Sequence, residues 1–91
     1  MSDELHQRLA ATAPGVAGWL GSGATAARIE RIMAVELEQS ARDLIERLTH
    51  ELDGMMINVG VSDDEAATLA EAIAQSLLEA WRVANRAREQ Q

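Results

Sequence analysis

Two histidines, His6 and His50, are the side chains best suited to ligating a transition metal. His50 follows Glu46 by four residues, with Glu51 and Asp53 close behind. A Glu and a His at that spacing share one helix face and are able to ligate a metal. A zinc site needs three or four converging ligands, and the sequence offers this one pair. His50 also falls opposite the stripe of Leu48 and Leu52, where a solvated face accounts for it. Gly21-Ser22-Gly23 has the residue types of a phosphate loop but neither the preceding strand nor the Lys such a loop needs. Asp63 and Asp64 are explained by helix capping. There is no H-E-x-x-H, no dinucleotide fingerprint and no nucleophile elbow. No constellation supports catalysis, so the expectation is a protein that is not an enzyme and uses no cofactor or metal.

The elements that carry these residues are bounded by composition. Ninety-one residues make one domain at most. The chain has no cysteine, no Phe, no Tyr and two Trp. Its core must therefore be aliphatic, and no disulfide supports it. Such a small aliphatic core leaves apolar surface over, and pairing with a second copy is the usual remedy. The net charge is -7, and all eight basic residues are arginine. Nucleic-acid affinity comes mainly from cationic neutralisation of phosphates, so direct nucleic-acid binding is not expected. An acidic surface suits solubility or a basic partner. No apolar run approaches the ~20 residues of a membrane span, and the acidic start Met1-Ser2-Asp3-Glu4 is unlike a signal peptide. A cytoplasmic protein that does not engage membranes is expected.

Residues 2–13 read as a short helix, capped by Ser2 or Asp3 and stopped by Pro14-Gly15. Residues 15–24 hold four of the six glycines and read as a flexible connector. Within it, Trp19 either folds back over the helical core or anchors a partner. Residues 1–24 thus form a short helix and Gly-rich connector, and residues 25–91 a helical hairpin. Its first helix runs from about 25 to 58, with Thr25 as N-cap. Its apolar stripe is Ile29, Met33, Leu37, Ala41, Leu44, Leu48, Leu52, Met55 and Val59, in steps of three or four. Ile32, Ile45 and Met56 widen it. Glu38 with Arg42, Asp43 with Arg47 and Arg47 with Glu51 are pairs at four-residue spacing that mark a solvated face. Gly54 marks a kink or a close approach. Residues 55–61 are apolar all round, which fits either burial at a helix crossing or dimer contact, or an adaptable partner surface.

Gly60 is the natural helix stop. Ser62 and Glu65 then have the S-x-x-E spacing of a capping box. The second long helix runs over about 63–88. Its stripe is Ala66, Leu69, Ala70, Ile73, Leu77, Trp81 and Ala84. Arg82, Arg86 and Arg88 complement its negative end. The expected fold is all-α: a long helical hairpin with a short N-terminal helix, assembled as a homodimeric helical bundle.

The pattern Leu48, Leu52, Gly54, Met56, Val59-Gly60-Val61, an acidic cap, then Leu69, Ile73 and Leu77 resembles the N-terminal dimerisation region of Mor/C-type transcription activators of Mu-like phages. In that family two helices separated by a Gly-Val turn build the dimer core, and a strand and a helix-turn-helix follow to bind DNA. After Leu77 this sequence departs from the family: it continues as helix through Leu78-Glu79-Ala80-Trp81-Arg82. The resemblance therefore implies a dimerisation scaffold of phage origin without the DNA-binding half.

Together these readings predict a small acidic interaction module, a non-catalytic regulator or inhibitor that binds a partner protein, such as a nucleic-acid-binding host or phage protein. The alternatives are a Mor-like dimeric transcription regulator and a structural or assembly subunit. The expected interface residues are Trp19, Leu37, Leu44, Leu48, Leu52, Met55, Met56, Val59, Leu69, Ile73, Leu77 and Trp81.

Overall fold

The computed structural model describes residues 3–89. The expected cap at Ser2 lies outside them. Among the described residues the chain is all-helical, with five helices and no strand. These are α1 (Asp3–Thr12), α2 (Pro14–Leu20), α3 (Gly23–Met33), α4 (Glu38–Asn58) and α5 (Asp63–Glu89).

The glycine-rich connector is helical. Pro14 does end α1, and it also begins α2, where its missing amide costs nothing and its fixed φ suits the first turn. Val16 and Leu20 lie one turn apart and are buried, and burial of that pair outweighs the low helix propensity of Gly15 and Gly18. Ser22, not Thr25, caps α3. Its Oγ accepts the Thr25 amide at 3.4 Å, and Thr25 itself is buried. The expected single helix over 25–58 is divided. It stops at Met33 and restarts at Glu38, with Leu37 extended at φ -93°, ψ 128° as the N-cap of α4.

The α4–α5 connection follows the sequence closely. Gly60 sits at φ 95°, a conformation costly for any residue with a Cβ. The Val61 amide donates to Met56 O at 3.0 Å and the Gly60 amide to Ile57 O at 3.0 Å. This is the double closure of a Schellman motif. Val61 packs against the core, as the hydrophobic partner of such a cap does. The Glu65 amide then donates to Ser62 Oγ at 3.3 Å and starts α5. The end of α5 returns to the start of α4, where Arg82 Nε meets Glu38 Oε1 at 3.2 Å.

All five helices feed one core. Leu9, Ile32, Leu48, Leu52, Met56, Leu69 and Ile73 are its largest fully buried side chains. Each contributes about 1.5–3 kcal/mol by leaving water. The first 24 residues are thus not a separate unit: Leu5, Leu9, Ala13, Val16, Ala17 and Leu20 close the same core. α3 doubles back beside α4, which brings Arg28 into an ion pair with Glu51.

Two neighbouring positions on α4 should respond oppositely to alanine. Leu52 is fully buried, so Leu52→Ala is expected to cost about 2–5 kcal/mol in a urea titration. Gly54 is exposed, and nothing lies within 4 Å of a Cβ built there, so no close approach requires it. Gly54→Ala is expected to stabilise by up to about 1 kcal/mol in the same titration.

Candidate interaction surface

The helix period places Asp43, Glu46, Arg47, His50 and Asp53 on one stripe of α4, beside the buried stripe of Ala41, Ile45, Leu48 and Leu52. Together with Thr49 and with Ala70, Glu71 and Ala74 of α5 they line an open groove of about 690 Å³ along the α4–α5 seam. A smaller recess of about 120 Å³ shares Glu46 and Ala74 and continues the seam to Arg42 and Leu78. The floor carries small residues, Thr49, Ala70 and Ala74. Thr49 spends its hydroxyl on its own helix, donating to Ile45 O at 2.8 Å. The walls carry four carboxylates against one arginine. Asp53 Oδ1 is buried and accepts no hydrogen bond among the described residues. The surplus of carboxylates over arginine makes the groove electronegative, so it favours a cationic visitor.

His50 and Glu46 both line this groove, as their spacing implies. No third ligand joins them: among the described residues no three of His, Asp and Glu gather as a metal-binding group.

The expected interface residues divide into three groups. Leu48, Leu52, Met56, Leu69, Ile73, Leu77 and Trp81 are all at most 6% exposed. They are core residues of the single chain, because α1–α3 fold over the stripe that a partner was expected to cover. Trp19, Leu44 and Met55 are half-buried and packed against that core, so Trp19 takes the folded-back alternative. Leu37 and Val59 stand out at 70% and 62% exposed, at opposite ends of α4. The expected list omitted Ile57 and Val83, also exposed. Ile57 lay within the apolar run 55–61. Val83 carried no signal, since it falls off the α5 stripe.

The last turns of α5 grip the break between α3 and α4. Trp81 Nε1 donates to Val35 O at 2.8 Å. Arg88 donates from Nη1 to Met33 O at 2.8 Å and from Nη2 to Val35 O at 3.1 Å. Arg82 and Arg88, two of the three arginines a DNA-contacting protein would use here, are therefore engaged within the chain. Arg86 is exposed. Of the three surface pairs expected on α4, Glu38 with Arg42 forms at 3.4 Å. Asp43 instead accepts from Gln39 at 3.0 Å, and Glu51 pairs with Arg28.

No helix among the described residues is long and apolar enough to cross a membrane. No family model, curated protein or solved structure matches the chain.

Glu38 receives Arg82 and lies in the field of Arg42, and the hydrogen bond from Arg82 is the main reason its carboxyl titrates below the ordinary glutamate value. A carboxyl with a lowered pKa in the folded chain adds stability above the ordinary value and loses it as pH falls through the lowered one. Glu38 is exposed, so solvent keeps the effect small. Glu38→Gln is expected to flatten the pH dependence of the urea midpoint across that acid window. The two proteins should converge at its acid end, and added salt should shrink their difference.

Proposed function

We propose that this chain is a non-catalytic interaction protein that regulates or inhibits a partner by receiving one of its basic helical segments in the α4–α5 groove. The carrying observation is the groove itself: four carboxylates around a floor of small residues. Small floor residues permit a helix to approach closely, within the 8–10 Å of ordinary helix packing. Acidic walls select a helix rich in Arg or Lys and reject an acidic one. Basic helices are a common means of contacting nucleic-acid phosphates, so a protein that covers one competes with nucleic acid for it. The net charge of -7 supports the same reading, by steering basic partners in and nucleic acid away. A phage-encoded regulator of a nucleic-acid-binding protein fits this description. α4 and α5, joined by the Gly60 turn, serve as the helical hairpin that carries the groove. Self-association as a homodimer is part of the proposal.

A fluorescein-labelled amphipathic peptide with Arg on one face and Ala on the other provides the test. It is expected to bind, to weaken as salt rises, and to lose about tenfold in affinity on Asp53→Asn with Glu71→Gln. A matched acidic peptide should not bind. Equal binding of the two peptides, or no effect of the paired substitution, would remove the groove from the proposal.

A further inference from the structure

The break between α3 and α4 contains no helix breaker. Residues 34–37 are Ala, Val, Glu and Leu, and none of them carries the penalty that Gly or Pro would impose. In a continuous helix Met33 O would accept the Leu37 amide and Val35 O the Gln39 amide. Here Arg88 takes Met33 O, and Trp81 with Arg88 takes Val35 O. The break is thus held by the end of α5 and not by its own sequence. Leu37 carries the mark of the alternative state. It lies on the stripe Met33, Leu37, Ala41, Leu44 that one helix would share, yet it is 70% exposed. The layer beyond the break is also incompletely seated on α5. A cavity of about 260 Å³ opens between them, lined by Leu20, Ile29, Met33, Ile73, Leu77 and Ala80.

We infer that residues 34–37 are a hinge through which two copies of this chain exchange their N-terminal helices. On release of the α5 latch, α3 and α4 join into one helix over residues 23–58. α1–α3 then swing away from their own α4 and α5. The apolar face of Leu5, Leu9, Val16, Leu20 and Ile32 needs the same cover it lost, and the α4–α5 surface of a second copy supplies it. Every core contact is recovered, and the hinge residues gain helical hydrogen bonds. The occupant is a second copy for a simple reason: only another copy presents the α4–α5 surface already shaped to this segment. The exchange does not use the α4–α5 groove, and it stands whether or not that groove takes a partner.

The geometry gives a direct readout. Arg28 and Glu51 touch in the closed chain, whereas in a fused helix they lie about 35 Å apart at ~1.5 Å per residue. The absence of cysteine allows spin labels to be placed at Arg28→Cys and Glu51→Cys alone. Trp81→Phe with Arg88→Ala removes the latch donors and keeps a ring in the core. This variant is expected to raise the dimer fraction about tenfold by light scattering, with the long label separation within each chain. Adding Leu37→Pro, which a continuous helix rejects, should abolish both, whereas Leu37→Ala should leave both. With labelled chains diluted in excess unlabelled chain, so that only the separation within one chain is read, a dimer fraction that does not rise, a dimer that keeps the short separation, or a dimer indifferent to Leu37→Pro would overturn the exchange. If circular dichroism shows the latch variant unfolded, the unlatched comparison is wild type against Leu37→Pro, each refolded at high concentration. Dimer from wild type alone is expected, and equal behaviour of the two overturns the proposal.

Discussion

The structure depends on one constraint: an aliphatic seam between α4 and α5 to which no Phe or Tyr contributes. Leu48, Leu52 and Met56 on one helix and Leu69, Ile73 and Leu77 on the other are essentially removed from water. Two helices cannot bury both their flanks by this seam alone. One flank is covered by α1, α2 and α3. The other is left as the acidic groove. The division between covered and open flank decides where the protein has a surface to offer.

Charge follows the same division. Carboxylates crowd the open flank, where solvent or a cation can reach them. Several arginines are used internally: Arg82 on Glu38, Arg88 on the carbonyls of the break, Arg28 on Glu51. An arginine suits such work because its planar fork satisfies two acceptors at once. Arg88 does so at Met33 O and Val35 O. The outcome is a molecule whose unspent charge is mostly negative, which favours basic partners in long-range encounter.

α5 has two tasks at its two ends. Its start is set by local chemistry, with Ser62 capping and Gly60 turning the chain. Its end acts at a distance, holding a break that lies some fifty residues earlier in the chain. The first task needs only neighbours. The second exists only once the chain has folded, and a bond to a side chain from the far end can be exchanged for a helical one.

How much of this was legible before the fold depends on the range of the interaction. The helical character, the stop at Gly60, the restart at Ser62 and the stripe of α5 are written in residues a few positions apart. Capping, period and glycine freedom act over that range, so the sequence alone determined them. The groove residues were visible only as a solvated face, because Ala70 and Ala74 become its floor through packing and not through spacing. The flexible connector proved helical, since Val16 and Leu20 find their burial against residues of later helices. Most of the expected interface turned out to be core for the same reason: a stripe in sequence does not say whose surface covers it. The break at 34–37 was invisible. Its sequence is helical, and the donors that interrupt it, Trp81 and Arg88, are brought there by the tertiary structure alone.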